Sequence, residues 1–326
     1  MINPNNKTVG LMLSGGGGKG SFQLGIFKAL DEYGLLDEIH YCSGTSIGSI
    51  NTTLLMIAEK KTRHEFLKEF WDGLNMEKIF SSNREDGKGV FDLKTIYNQL
   101  YEEVDSNKIK TSPLIGFATA SRLKDNNSLK ETFNLLNLER EVFCLNTFDE
   151  PLKAVMASSS IPLLFGPTPV KENFYVDGGL LDNHPLQPLI EHNCSTILSI
   201  PLNNNFKVKD KDKENYLHIN FMCKHLFLPS KILTLFLCVD FKKEFKDSIH
   251  LAGYIAGNKL IKKCIEQGFL LYNDTTKEHH WKKVNEYTEI SLTNAECKEV
   301  IKEKKRIIKE ISKDPHITLH EVIEHI

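Results

Sequence analysis

Apolar and polar positions in the first sixty residues follow two alternating patterns. Thr8 to Leu13 is a short, mostly apolar run of the kind a buried strand carries. After a glycine-rich turn, Phe22, Ile26, Ala29, Leu30 and Tyr33 recur at helical spacing, and Gly34 supplies a stop. A second strand-like run, Ile39 to Ser43, leads into another turn. Ile47, Ile50, Leu54, Ile57 and Ala58 then repeat the helical spacing and predict an amphipathic helix. Strand, turn and helix, twice over with short links, predict a parallel α/β sheet. Ligand sites in such sheets lie at the carboxyl ends of the strands, where both turns fall.

The rest of the chain is less regular. Helices are expected over Thr62 to Asn75 and Asp92 to Val104, with a polar loop between them at Ser81 to Gly89. Leu114 to Ala120, Phe174 to Val176 and Thr196 to Ile200 read as strands. Lysine and aspartate alternate between Asn203 and Asn215, as in a solvated loop, and from Phe221 the chain turns helical and lysine-rich. The expected organisation is therefore a catalytic core over 8–202, a polar loop over 203–220, and a helical part over 221–326 packed on the core.

Composition narrows the class. The chain has 326 residues, 40% of them apolar and 26% charged, so a sizeable core is possible. A net charge of −2 gives no electrostatic argument for nucleic acid as a partner. The seven cysteines are scattered and never spaced as CxxC, which argues against a disulfide framework and points to a reducing compartment. Met1 to Lys7 is polar and carries no signal-like apolar stretch. No apolar run approaches the roughly 20 residues of a membrane span. The reading is a cytoplasmic protein, with peripheral membrane contact and export by a signal-independent route left open.

The two turns carry the chemistry. In Gly15-Gly16-Gly17-Gly18-Lys19-Gly20, successive N–H groups at a helix start form a nest for an anion. A Walker loop needs a hydroxyl residue after the lysine and a glycine at the opening position. Here Gly20 follows Lys19, and Leu13 holds the opening position. The dinucleotide pattern is met by Gly15, Gly17 and Gly20, but Asp37 and Glu38 precede the second strand instead of ending it. Gly44-Thr45-Ser46-Ile47-Gly48 has the form of a nucleophile elbow, in which a tight turn lifts one hydroxyl clear of the backbone. None of His184, His192, His218, His225 and His250 has a distinctive setting for a base. Asp177, in Tyr175-Val176-Asp177-Gly178-Gly179, ends a strand-like run before two permissive glycines and is the better candidate.

These blocks, in this order, resemble the patatin-like phospholipase family. Ala157-Ser158-Ser159-Ser160-Ile161-Pro162 and Leu180-Leu181-Asp182-Asn183-His184-Pro185-Leu186 agree as well, and the resemblance covers roughly 8–202. Lys19 stands where the family commonly has arginine, and Ser14 where aspartate is frequent. The resemblance implies a three-layer α/β/α patatin-like fold with a mostly parallel central sheet and a helical C-terminal extension. It implies a serine esterase with a Ser46–Asp177 dyad, no catalytic histidine, and an oxyanion hole of backbone N–H groups at Gly16, Gly17 and Gly18. Gly15, Lys19, Gly20, Gly44, Gly48, Gly178 and Gly179 complete its motifs. The expected substrate is a fatty-acyl ester of a phospholipid or lysophospholipid, and no metal or cofactor is called for. A general carboxylesterase or acyltransferase, and a non-catalytic lipid-binding protein of the same fold, are the alternatives.

A free aspartate, with a pKa near about 3.9, is a weak base at neutral pH, so a desolvated setting is expected around Asp177. Leu226 to Phe245, an apolar stretch bordered by lysines, is read as a buried core helix, and Lys298 to Lys313 as an amphipathic surface helix packed on the body; lipid contact is the rival reading for both.

Overall fold

A computed structural model describes residues 8–74, 94–124, 135–227 and 241–313. The loop expected at Ser81 to Gly89 and most of the stretch from Leu226 to Phe245 lie outside the described residues. The strands are β1 (Val9–Leu13), β2 (Ile39–Thr45), β3 (Ile115–Leu123), β4 (Leu138–Cys144), β5 (Thr168–Val170) and β6 (Asn173–Asp177). They continue with β7 (Thr196–Ile200), β8 (Leu217–Asn220), β9 (Leu270–Asn273), β10 (Glu278–Trp281) and β11 (Thr288–Ser291). The helices are α1 (Ser21–Glu32), α2 (Ile47–Ile57), α3 (Arg63–Gly73), α4 (Lys94–Glu103) and α5 (Ser106–Thr111). After them come α6 (Pro151–Ser158), α7 (Pro162–Phe165), α8 (Gln187–Glu191), α9 (Lys243–Glu266) and α10 (Asn294–Ile311). The chain divides into two compact units. One comprises Gly10–Gly17 and His40–Asn193; the other comprises Met1–Val9, Gly18–Ile39 and Cys194–Ile326.

The unit that carries Ser46 is organised by β3. Its residues from Phe117 to Leu123 pair antiparallel with β4 along one edge. On the opposite edge, Ile115 to Thr119 pair parallel with β2, and Ala120 to Arg122 pair antiparallel with β6. β2 and β6 therefore share one edge of β3 and run toward each other along it. Thr45 ends opposite Thr119 and Asp177 ends opposite Ala120, on consecutive rungs. Strands of opposite direction thus deliver two chain positions 132 residues apart (177 − 45) to the same place.

α2 differs from expectation. Instead of one apolar face, it is buried on all sides from Ile47 to Met56. Its polar residues are satisfied locally, as burial demands. Thr52 and Thr53 bond back to the carbonyls of Gly48 and Ser49, and Asn51 accepts from Trp71. Apolar periodicity alone cannot report this, because a back-bonded threonine costs little to bury.

In the second unit β7, β8 and β11 are parallel neighbours, and β9 and β10 form an antiparallel hairpin. The α/β class and the parallel pairing are as expected, with C-terminal helices. Two details correct the sequence reading. β8 lies within the segment read as a polar loop, and three short strands interrupt the helical 221–326 part. β8 was hidden because half of its residues are polar and fully paired. Buried His218 bonds Ser199 Oγ (2.8 Å) and Tyr287 Oη (2.9 Å), and Asn220 donates to Glu289 (2.9 Å). The His218 hydrogen bond is also the main cause of the low Glu289 pKa, about 2.

α1 packs against α9 at near-backbone contact. A Cβ added to Gly25 would lie 2.0 Å from the His250 carbonyl oxygen, and one added to Gly253 would lie 2.1 Å from that of Phe22. α10 buries Cys297, Val300 and Ile307, and it packs against α9. Among the described residues no helix is long and apolar enough to cross a membrane. Gly253→Ala should cost about 2–4 kcal/mol in urea unfolding, because the helix–helix overlap outweighs the gain of about 1 kcal/mol in helix propensity. A loss below that gain would show that the helices can separate freely.

Candidate active site

Ser46 sits at the end of β2 with φ 55° and ψ −127°, as the residue before the first turn of α2. A non-glycine residue in this region costs about 1–3 kcal/mol and persists only where its surroundings hold it. Three features hold it here. Gly44 and Gly48 allow the chain to fold back on itself: a Cβ on Gly44 would lie 2.3 Å from the Gly48 oxygen, and one on Gly48 would lie 2.3 Å from the Leu13 oxygen. The Ser46 carbonyl accepts from Ser49 Oγ at 2.7 Å. The Ser46 N–H donates to Ser158 Oγ at 2.8 Å, and that hydroxyl donates in turn to the Thr119 carbonyl at 2.6 Å. Thr119 is the last rung that β3 shares with β2. Buried Ser158, at the end of α6, therefore fastens the elbow to β3 at the point where β2 leaves it.

Asp177 arrives from the other direction. Its carboxylate accepts from the Gly179 N–H at 2.7 Å, and its own N–H donates to the Ser160 carbonyl at 2.8 Å. Burial pushes its pKa up to about 6, against the smaller opposing effects of hydrogen bonds from the Ser46 side chain and the Gly179 N–H. The Ser46 side chain is thus near enough to Asp177 to act on its pKa, and the carboxyl sits in a desolvated setting. Gly178, the residue after β6, is buried against β3; a Cβ there would lie 2.0 Å from the Thr119 oxygen.

The glycine loop borders the serine. A Cβ on Gly15 would lie 3.0 Å from Ser46 Cβ and 2.6 Å from Asn183 Oδ1. The Gly15 carbonyl accepts from Ser14 Oγ (3.3 Å) and from Asn183 Nδ2 (3.4 Å). A trans peptide carries its C=O and N–H on opposite sides, so these donors turn the Gly16 N–H away from themselves. Gly17 has φ 55°, which directs the following N–H groups into a turn. Gly18, Lys19 and Gly20 belong to the second unit. There buried Lys19 donates to the Leu202 carbonyl (3.2 Å) and lies 5.3 Å from the centre of the Phe227 ring.

Two contributors lacked a residue-level signal in the sequence. Ser158 and Asn183 fall inside recognisable blocks, but only the folded register shows one gripping the elbow and the other the glycine loop. Of the histidines weighed as a base, His192 is held by the Pro188 carbonyl and stacks near Tyr41 and Phe117, and His218 belongs to the β7–β8–β11 network. No group of three or more potential metal ligands is found among the described residues.

Comparison with known proteins identifies the family. A sequence profile described as "Patatin-like phospholipase" matches residues 11–190. The "Probable lipid hydrolase 463L" of Invertebrate iridescent virus 6 is 29% identical over 189 residues, which is 56% of this chain and 63% of the viral one. "Lysophospholipase NTE1" of Cryptococcus neoformans var. neoformans serotype D is 27% identical over 202 residues, 59% of this chain but only 11% of that protein. Solved structures match more loosely. VipD from Legionella pneumophila gives a TM-score of 0.35 at 14% identity, over 92% of this chain and 65% of that one. ExoU, in its complex with SpcU from Pseudomonas aeruginosa, gives 0.38 at 15% identity, over 93% and 59%.

The raised Asp177 pKa has a consequence for stability. Between about 4 and 6 the folded protein binds a proton that the unfolded chain releases, so this group's contribution falls as pH rises through that window. Asp177→Asn keeps an acceptor for Gly179 and removes the buried charge. It should stabilise the fold by about 3 kcal/mol at pH 7.5 and by little at pH 4, read from urea unfolding at both values. Equal effects at the two pH values would mean that the carboxyl is not desolvated.

Proposed function

This chain belongs to the patatin-like phospholipase family, and from that premise we propose that it hydrolyses fatty-acyl esters of phospholipids or lysophospholipids by a Ser46–Asp177 dyad. The observation that carries the proposal is the delivery of a strained, elbow-borne serine and a buried carboxyl of raised pKa to consecutive rungs of β3. Above pH 6 the carboxylate accepts the Ser46 proton as Oγ attacks the ester carbonyl carbon. The tetrahedral oxyanion is held by the backbone N–H groups of Gly16 and Gly17. Collapse breaks the ester bond, and Asp177 returns the proton to the departing alcohol. Water then attacks the acyl-serine, giving its proton to Asp177 and releasing the fatty acid as Ser46 is reprotonated. A pKa of about 6 suits this cycle, since the group is ionised at neutral pH yet basic enough to take a proton. Ser158 and Asn183 are assigned to positioning: one fixes the elbow and the other orients the Gly15–Gly16 peptide.

A panel of defined phospholipids, lysophospholipids and simple esters tests the reading. Ser46→Ala and Asp177→Asn should each lower kcat at least about 100-fold, the lower end for loss of general acid–base catalysis. A fluorophosphonate should label wild type at Ser46. In wild type kcat/KM should rise with pH to a plateau, with a midpoint near 6, as Asp177 ionises. Full activity in either variant would overturn the dyad, and no labelling together with no turnover would favour a lipid-binding protein. Better turnover of short simple esters would favour a general carboxylesterase.

A further inference from the structure

The cysteines of the second unit are not alike. Cys194 and Cys264 are buried, and burial pushes both thiols up to about 12, the behaviour of inert packing residues. Cys42 in the other unit behaves in the same way. Cys223 and Cys297 are also buried, but they face each other. Cys223 Sγ lies 4.0 Å from the Cys297 carbonyl oxygen, and Cys297 Sγ lies 4.0 Å from the Met222 carbonyl oxygen. Each sulfur thus meets the backbone of the segment that carries the other. Both are free thiols that join segments 74 residues apart.

The surroundings favour the thiolate of one of them. Cys297 lies in the first turn of α10, behind the Thr293 cap, where the helix dipole favours negative charge. The neighbouring Cys223 thiol, with the Lys224 N–H and ammonium, holds Cys297 below the usual thiol range. The same pairing drives Cys223 upward. Of the charged groups nearby, Lys224 favours the Cys297 thiolate and Glu296 opposes it, while Lys304 acts on Cys223. A nucleophilic thiolate beside a resolving thiol is the arrangement that oxidation converts to a disulfide.

We propose that Cys223 and Cys297 form an oxidation site at which a peroxide closes a disulfide between the start of α10 and the segment after β8. The Cys297 thiolate attacks one peroxide oxygen, breaking the O–O bond; hydroperoxide gives sulfenic acid at Cys297 and releases hydroxide. The Cys223 sulfur, losing its proton, then attacks the Cys297 sulfur and expels the oxygen as water. Two thiols lose two electrons and two protons in total, and one hydrogen peroxide becomes two waters. The sulfurs are covered, so a small neutral oxidant enters by local opening of the adjoining turn, where exposed His225 is held at φ 68°. This site is independent of the acyl-hydrolase reading.

The test uses the full chain treated with one equivalent of hydrogen peroxide, alkylated, digested without reduction and read by mass spectrometry. The expected product is a dithiothreitol-sensitive peptide pair joining Cys223 to Cys297, with Cys42, Cys194 and Cys264 still alkylated as thiols after unfolding. Cys223→Ser should leave Cys297 as a sulfenic acid that dimedone traps. Cys297→Ser should slow peroxide consumption at least about tenfold. The proposal is overturned if no linked pair forms, if Cys42, Cys194 or Cys264 oxidises as fast, or if Cys297→Ser leaves consumption unchanged. Circular dichroism checks that both variants fold. If either does not, the linked Cys223–Cys297 peptide in peroxide-treated wild type decides, because its formation supports the site and its absence sinks it.

Discussion

The constraint on which the candidate site depends is a handover on one edge of β3. β2 occupies that edge up to Thr119 and β6 occupies it from Ala120, and the two strands run head to head. Neither can extend without displacing the other. The chain must therefore leave the sheet sharply at both ends, through the Ser46 elbow on one side and the Gly178 turn on the other. The Thr119 carbonyl at this junction receives the Ser158 hydroxyl, and that hydroxyl receives the Ser46 N–H. A single oxygen thus ties three elements together at the point where an ordinary ladder would break.

The same constraint explains why the site is costly. A buried carboxyl and a serine at φ 55° are each unfavourable in isolation. They persist because neighbouring groups hold them, although Ser43 Oγ and Thr119 Oγ1 are buried without partners among the described residues. The hydroxyls of Ser49, Thr52 and Thr53 bond to nearby carbonyls, so α2 can be buried on every side directly behind the serine. The proposed chemistry needs the carboxyl to be poorly solvated, and the fold offsets that cost through its neighbours.

In the second unit the same rule acts on different residues. His218, Asn220 and Glu289 lie among parallel strands because each polar atom meets a partner across the β7–β8–β11 register. The Cys223–Cys297 pair differs, because the two thiols are shifted in opposite directions instead of both being pushed up by burial.

Local pattern was enough for much of the architecture. β1, α1, β2 and β7 fall where apolar spacing and glycine stops put them, since those signals arise within a few residues. The elbow at Ser46 and the glycine turn were legible for the same reason, as both are short-range backbone requirements. β8 was not, because its polar residues look solvated until their partners from β7 and β11 are in place. The meeting of Ser46 with Asp177 could be inferred only through resemblance. Its physical cause, antiparallel entry of β6 onto the edge vacated by β2, is a matter of long-range register that no local window contains. Sequence by itself determined which turns could carry a nucleophile, an anion nest and an acid. Tertiary structure decided that the strands carrying the serine and the acid end on consecutive rungs of β3, that burial raises the acid's pKa, and that Ser158 and Asn183 bond to the elbow and the glycine loop. Those outcomes depend on distances and dielectric surroundings, which exist only once the strands have paired.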